Sequence, residues 1–307
     1  MADAKAVSAY AAVTVSAILW GFIGFFSRNL YAEGFSPMQV AFTRMLIGLL
    51  VLTAFLLVVD RTCFRIRKKD IWVFLVFAVF KILSDLFLFK AQVLIHLSLS
   101  SVLQLTSPYW VLLYCVILFR ERVTFRKVFA ICMAFFGCIL VTGILSEDIS
   151  FDTLGITFAL LSGFAYATYT VGNKVLMDRG YSYNTVLFFI FLLSTLVCVP
   201  FGDLPSIPGK VVGWNVVIDL MCMGVLMTLV PYYLQIYALK YISPVTVNII
   251  GLLEVACAVV VGMIIYDEGL GLMNLIGMIL IPASIVLMNV DVRKKLRERE
   301  MRKMRGE

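Results

Sequence analysis

Long apolar runs separated by short polar segments make up most of the chain. Ten runs are apolar on every face over roughly 20 residues, the length of helix that crosses a bilayer core. In lipid the backbone must satisfy its own hydrogen bonds, and no segment shows the two-residue alternation of a barrel strand. The pattern therefore predicts an all-α polytopic membrane protein with ten transmembrane helices, at 7–26, 37–59, 71–95, 98–119, 128–145, 154–173, 183–201, 214–239, 244–266 and 270–290.

Composition excludes the main alternatives to a membrane protein. Of the 307 residues, 62% are hydrophobic and only 15% are charged, whereas a soluble domain is about half apolar and about a quarter charged. A soluble fold of this length would expose much of the apolar surplus and aggregate, and a disordered chain would be more polar. The seven cysteines lie apart without a C-x-x-C pair. We therefore expect no metal site, disulfide framework or cofactor.

The positive charges predict how the chain is oriented. If the N-terminus is cytoplasmic, 21 of the 26 lysines and arginines fall on cytoplasmic segments, while the outer loops keep only Arg28 and Lys210. This asymmetry is typical of the positive-inside rule. It predicts cytoplasmic N- and C-termini in a plasma membrane of the bacterial inner-membrane type. The basic tail, 292–307, is expected to lie near anionic lipid headgroups, and no nucleic-acid partner is predicted.

An internal repeat divides the chain into two halves. Residues 91–121 align with residues 238–268 at a constant shift of 147, and Glu121 matches Glu268; GFSP at 34–37 matches GYSY at 180–183. Each half holds five predicted spans, so the second half would enter the membrane upside down. We expect repeats at 1–146 and 147–291, with a polar site at their interface near mid-membrane, as in secondary transporters.

Several stretches resemble one transporter family. Ser98, Pro108 and the run Glu121-Arg122-x-Thr124 are similar to the end of an EamA-type repeat of the drug/metabolite transporter superfamily, as is YALKYISPVTVNIIGLLEVACAVVVGMIIYDEGLG in the second half. LWGFIGFFSR resembles the first helix of that family and AFTRMLIGLL the second. The similarity extends over roughly residues 10 to 290. It departs from the family pattern at Glu254-Val255, where Glu-Pro is common, and in the charges of the third helix.

The resemblance implies a secondary-active or facilitative transporter of a small polar metabolite. An amino acid or a similar solute is expected, carried outward by alternating access around a cavity between the repeats. Helices 1–4 and 6–9 would line this cavity, with helices 5 and 10 at the periphery. An intramembrane enzyme and a non-transporting sensor or scaffold are the alternatives. No G-x-S-G, G-x-G-D, H-E-x-x-H or Walker motif is present, so an enzyme is not expected. The predicted partners are the solute and membrane lipid, and a monomer is the expected form.

Charged side chains inside the predicted spans are the first candidates for a solute site. A charge at mid-membrane costs about 2.5–3.5 kcal/mol on insertion scales. Lys81 and Asp85 are one helical turn apart and either neutralise each other or contact the solute. Arg44 is either a structural clamp or a substrate-facing charge, and Lys90 either contacts the solute or reaches the interface. Glu254 is either a proton carrier or a carboxylate held by hydroxyls, Arg44 or Lys81.

Aromatic residues in the spans are the second group of candidates. Under the repeat shift, Tyr232 corresponds to Asp85 and Tyr237 to Lys90, which places both near the predicted site. Aromatic residues in membrane proteins more often pack or anchor at the interface, so only some of the group would contact solute. The predicted substrate-binding set comprises Trp20, Arg44, Lys81, Asp85, Lys90, Tyr109, Tyr166, Tyr169, Tyr232 and Tyr237.

Overall fold

The computed structural model describes the backbone of residues 2–95, 97–143, 152–266 and 271–304. Within these ranges all the regular secondary structure is helical. The α-helices are α1 Ala2–Gly21, α2 Ile23–Ala32, α3 Pro37–Val59, α4 Ile71–Leu94, α5 Leu97–Gln104, α6 Ser107–Phe119, α7 Phe125–Val141, α8 Thr153–Asp178, α9 Tyr183–Cys198, α10 Trp214–Met221, α11 Val230–Leu239, α12 Pro244–Gly251, α13 Leu253–Tyr266 and α14 Leu272–Met304. A π-helix, Cys222–Leu229, joins α10 to α11.

Eight helical segments within the described ranges are long and apolar enough to cross a membrane. They are Lys5–Ala32, Pro37–Val59, Lys68–Leu94, Leu99–Phe119, Thr153–Asp178, Tyr183–Phe201, Trp214–Leu239 and Pro244–Ile265, and they overlap predicted spans one to four and six to nine. The fifth predicted span overlaps α7, of 17 residues, which begins three residues earlier at Phe125. The tenth contains the apolar part of α14, Leu272–Met288. The protein is thus an all-helical polytopic membrane fold.

Side-chain caps fix where several helices begin. Ser36 and Gln39 form a capping box at the start of α3, in which the Ser36 hydroxyl accepts from the Gln39 N–H and the Gln39 amide oxygen accepts from the Ser36 N–H. Asp152 caps α8, and Ser243 caps α12 just before Pro244. These caps satisfy amide groups that a helix start leaves without partners. The helix starts in the bundle are therefore encoded locally.

The fourth and ninth spans are each broken into two helices. The first break, at Leu105 and Thr106, separates α5 from α6, and the second, at Leu252, separates α12 from α13. Pro108 follows the first break and cannot donate a backbone hydrogen bond. Leu105 and Leu252 are 147 residues apart, the shift that the sequence repeat predicts. Glu268, the predicted match of Glu121, lies outside the described residues.

Helices of the two halves pack against one another. The helices α1, α3 and α4 contact α8, α9, α11, α13 and the π-helix, while α7 and α14 pack mainly on each other. A Cβ on Gly277 of α14 would lie 2.5 Å from the carbonyl oxygen of Gly137 in α7, so only glycine permits that approach. Pro282 lies inside α14. The α7–α14 pair therefore lies beside a bundle in which both halves share one core.

Polar bonds join the halves at both ends of the bundle. We call the end that carries 60–70, 120–124, 179–182 and 240–243 the basic end, and the other the far end. At the basic end Asp70 accepts hydrogen bonds from Arg67 at 2.7 Å, Arg179 at 3.0 Å and Tyr181 at 2.7 Å. At the far end the Gln39 side chain bonds Ser206 at 2.6 Å and Lys210 at 2.7 Å. Both connections join a first-half residue to the second half.

Candidate functional site

Three charged side chains meet between α3 and α4. Lys81 and Asp85 lie one turn apart on α4, and their Nζ and Oδ2 atoms are 2.8 Å apart. Arg44 of α3 reaches the same Oδ2 atom from its Nη2 at 3.3 Å. The Lys81 side chain is 2% exposed, and those of Arg44 and Asp85 are 13% exposed. We call Arg44, Lys81 and Asp85 the charge cluster.

The charge cluster carries more positive than negative charge. One carboxylate serves two cations, and both bonds end on the same oxygen. Glu254, the other acidic residue predicted to lie deep in a span, has no ion-pair or hydrogen-bond partner among the residues that the structure describes, so it does not pair with Arg44 or Lys81. A buried ion pair repays its desolvation only when it is well compensated. The cluster is therefore a polar site with an excess cation, well suited to an anionic group.

Aromatic side chains, mostly from the second half, cover the charge cluster. The Lys81 Nζ lies 5.5 Å from the centre of the Tyr232 ring, a cation–π distance. The Tyr232 ring makes edge contacts with Trp20 of α1, Tyr169 of α8 and Phe191 of α9, at centroid distances of 5.3, 6.1 and 5.7 Å. Side chains of both halves thus enclose the cluster.

Polar atoms without partners lie around these aromatic rings. Gln235 of α11 donates from Nε2 to the Tyr166 hydroxyl at 3.2 Å, but its Oε1 atom has no hydrogen-bond partner. The Tyr169 hydroxyl, the Asn173 amide and the Arg44 Nε are likewise buried without hydrogen-bond partners in the described part of the chain. Buried polar atoms are nearly always paired in a protein or with a bound molecule. Together they leave both donors and acceptors available around the charge cluster.

Gln235 and Asn173 were not predicted from the sequence. Each is an uncharged amide in a helix: Gln235 lies in the run YYLQIYAL, and Asn173 lies in TVGNKV, directly before Lys174. A search for buried charges and aromatic rings does not select such residues. An amide side chain inside a predicted span is the signal that could have identified them. Burying an unpaired amide costs free energy, as burying an unpaired charge does, although the cost is smaller.

Glu254 lies on α13, near the tyrosines of the site. Its carboxyl group is within electrostatic range of Tyr166 and Tyr232. Tyr232 is also within electrostatic range of Arg44 and Asp85. The ring of Tyr232 therefore belongs to the surroundings of both the charge cluster and Glu254.

Three residues of the predicted substrate-binding set lie away from the charge cluster. Lys90 is exposed and stands over the ring of Phe158 at 5.5 Å. Tyr109 packs edge-on against Phe135 of α7 at 5.7 Å. The Tyr237 hydroxyl lies 3.0 Å from Ser8 near the basic end. The structure thus brings together Trp20, Arg44, Lys81, Asp85, Tyr166, Tyr169 and Tyr232 of the predicted set.

A cavity lies at the basic end, away from the charge cluster. This cavity, of about 250 Å³, is lined by residues that include Glu121, Lys174, Lys240 and Ser243. Lys174 is paired with Asp178 at 3.0 Å, and Glu121 is paired with Lys127. The Lys240 ammonium stands 5.9 Å from the Tyr183 ring. Among the described residues, no group of three His, Cys, Asp or Glu side chains is placed to hold a metal ion.

Comparison with known proteins agrees with this architecture. The chain is 28% identical to an uncharacterized transporter of Archaeoglobus fulgidus over 277 residues, which cover 90% of this chain and 94% of the relative. It is 25% identical to the uncharacterized transporter YxxF of Bacillus subtilis, over 90% of this chain and 87% of the relative. One crystal structure superimposes with a TM-score of 0.76 at 16% identity, covering 94% of this chain and 98% of that one, which supports the fold alone.

A family model fits both halves of the chain. The model of the EamA-like transporter family matches residues 7–143 and again residues 153–290. The two matches together include the charge cluster, its aromatic cover and Glu254. The chain therefore belongs to the EamA-like transporter family.

Proposed function

We propose that the protein carries a small polar metabolite, such as an amino acid, across the membrane by alternating access, and that net transport is outward. Transport is secondary-active or facilitative. The solute leaves chemically unchanged, so the proposed activity is translocation and no catalytic step is included. The observation that carries the proposal is the charge cluster, which lies buried beneath aromatic side chains of both halves in a member of a transporter family.

The proposed topology has ten membrane spans in two inverted five-helix repeats, at 1–146 and 147–291, followed by a basic tail at 292–307. The double match of the family model supports this division. The helix breaks at Leu105 and Leu252, separated by the repeat shift, support it as well. The excess of Lys and Arg at the basic end supports cytoplasmic termini in a bacterial-type inner membrane. We propose that the carrier acts as a monomer in contact with lipid.

Each proposed site residue has a role set by its surroundings. Arg44, Lys81 and Asp85 form the charged end of the solute site, and Trp20, Tyr166, Tyr169 and Tyr232 form the walls around the rest. Glu254 is the proposed proton carrier, because an unpaired carboxyl group in a membrane site gains and loses a proton without breaking an ion pair. For access to alternate, the bonds of Asp70 at the basic end and of Gln39 at the far end must open in turn.

Reconstituted vesicles test this proposal. Proteoliposomes loaded with unlabelled solute are diluted into the same solute carrying a radiolabel, and counterflow is followed over a panel of amino acids, their amides and related amines. We expect counterflow of at least one solute, its loss in Arg44→Gln, and its retention in Lys69→Gln, a matched removal of an exposed charge. Counterflow no greater than in protein-free liposomes across the panel would overturn the proposal.

A further inference from the structure

We infer that the solute is an organic carboxylate whose carboxyl group binds Arg44, and that Asp85 holds Arg44 while the site is empty. This inference rests on the proposed transport function and names the class of solute that the site selects. Asp85 then competes with the solute for Arg44. If Asp85 only stabilised the fold, or if it bound the solute itself, its removal would not tighten solute binding.

The charge balance of the cluster is the first argument. Two cations share one carboxylate, which leaves one unit of positive charge in a buried place. Glu254 does not supply the missing negative charge, since among the described residues it forms no ion pair. An excess buried charge is costly in a membrane protein. A carboxylate bound at Arg44 neutralises this excess within the cluster, and an amine or a neutral amide cannot do so.

The geometry of Arg44 is the second argument. Its bond to Asp85 is 3.3 Å long and runs from Nη2, whereas charge-assisted bonds of this kind are about 2.7–2.9 Å. The Arg44 Nε is buried and has no hydrogen-bond partner in the described part of the chain. A guanidinium binds a carboxylate best with two parallel N–H bonds. Arg44 is thus held by a long contact and retains the donor that a bidentate carboxylate requires.

The position of Lys81 is the third argument. Lys81 is 2.8 Å from Asp85, is 2% exposed, and lies over the Tyr232 ring. When a solute carboxylate takes Arg44, Lys81 and Asp85 remain as a neutral pair on one face of α4. The cluster then contains two neutral pairs and no excess charge. The aromatic rings of Trp20 and Tyr232 beside it suit a carboxylate that carries an apolar or aromatic group.

Matched acids and amides test the inference with purified protein in detergent. The probes are phenylacetate with phenylacetamide, isovalerate with isovaleramide, and L-leucine with L-leucinamide; the readout is the ligand-dependent rise of the thermal unfolding midpoint, from which affinity is fitted. We expect at least one acid to bind at least 10-fold more tightly than its amide. Arg44→Gln should abolish that binding, Arg44→Lys should weaken it several-fold, and Lys69→Gln should leave it unchanged.

The variants at Asp85 give the distinctive result. Asp85→Asn removes the competitor and should tighten acid binding by about 10-fold. Because Asp85→Asn leaves two cations without an anion, the double variant Lys81→Met with Asp85→Asn, which keeps the wild-type net charge, provides a second measurement with the same expected direction. Equal binding of acids and amides overturns the inference, and so does weaker acid binding in both Asp85 variants.

The two proposals fail in different ways. Counterflow of amides or amines that persists in Arg44→Gln would keep the transport function and reject the carboxylate inference. Acid binding that depends on Arg44, without counterflow of any bound acid in proteoliposomes, would keep the carboxylate site and reject transport. Absence of acid binding in folded protein that carries out counterflow of another solute would also reject the inference.

Discussion

Removal of Asp85 should destabilise the protein far more than removal of either of its cationic partners. In Asp85→Asn, Arg44 and Lys81 stay buried with no carboxylate between them, and the cluster gains a second excess positive charge. Breaking a buried ion pair by deleting one partner costs about 3–5 kcal/mol, because the other charge remains uncompensated. We therefore expect the free energy of unfolding to fall by about that amount.

Removal of Lys81 has the opposite effect on the charge balance. Lys81→Met leaves Asp85 paired with Arg44, so the cluster becomes neutral and an apolar side chain fills the space of the lysine stem. We expect a loss of about 1 kcal/mol or less, since replacing a buried charge with a packed apolar group is often nearly neutral. The double variant Lys81→Met with Asp85→Asn should recover part of the stability that Asp85→Asn loses, because only Arg44 remains charged.

Unfolding by sodium dodecyl sulfate in mixed micelles, followed by circular dichroism, measures these differences. The matched control is Asp178→Asn, which breaks another Lys–Asp pair at the same helical spacing, 3.0 Å long but with Asp178 47% exposed. An exposed pair contributes about 0–1 kcal/mol. The reasoning is refuted if Lys81→Met is as destabilising as Asp85→Asn, or if the double variant is no more stable than Asp85→Asn alone.

The other predictions concern the proton, the basic end and the packing of the peripheral helices. Glu254→Gln should abolish the dependence of solute flux on a pH gradient in proteoliposomes; a flux that still follows the gradient removes Glu254 from proton coupling. Asp70→Asn keeps one acceptor oxygen but removes the negative charge and the second acceptor oxygen that Arg67, Arg179 and Tyr181 share. It should lower the free energy of unfolding by more than Asp178→Asn does, measured in the same detergent titration; an equal or smaller loss would contradict it. Gly277→Ala places a methyl group 2.5 Å from the Gly137 carbonyl oxygen and should cost about 1–3 kcal/mol. Gly251→Ala, where a Cβ meets nothing within 4 Å, is its control, and equal losses in the two variants would reject the packing argument.

Hydropathy predicts most of the helical segments because the backbone N–H and C=O groups of an apolar span have no water to bond with in lipid, and an α-helix pairs them within the span. The eight long apolar helices overlap eight of the predicted spans. The break at Leu252 was not predicted, whereas Pro108 in the sequence indicates a kink close to the break at Leu105 and Thr106. Pro108 has no N–H to donate to the Gln104 carbonyl one turn earlier, and Gly163 of α8, where a Cβ would lie 2.7 Å from that oxygen, allows α8 to pack closely against it. Such a contact joins distant parts of the chain.

Local spacing explains part of the site and long-range packing explains the rest. The Lys81–Asp85 pair follows from one helical turn, whereas the bond from Arg44 joins residues 41 positions apart and depends on how α3 packs on α4. Lys90 is nine residues from Lys81, which is two and a half turns. It therefore faces away from the cluster, a result that helical geometry alone could have given. Under the repeat shift Tyr237 corresponds to Lys90, and both were therefore predicted to lie near the site. That prediction did not take account of the side of α4 on which Lys90 lies.

The contact between Lys81 and Tyr232 bears on where the halves meet. Under the proposed repeat, Tyr232 is the counterpart of Asp85, and Asp85 is bonded to Lys81. Corresponding positions of two repeats lie close together only near the axis that relates the repeats. A first-half carboxylate and a second-half phenol ring that share one lysine therefore lie near that axis. Any rocking of one half against the other moves residues at the two ends most and residues near the axis least. Under the proposed alternating access, a solute held at the charge cluster would therefore move little while the bonds of Asp70 at one end and of Gln39 at the other open in turn.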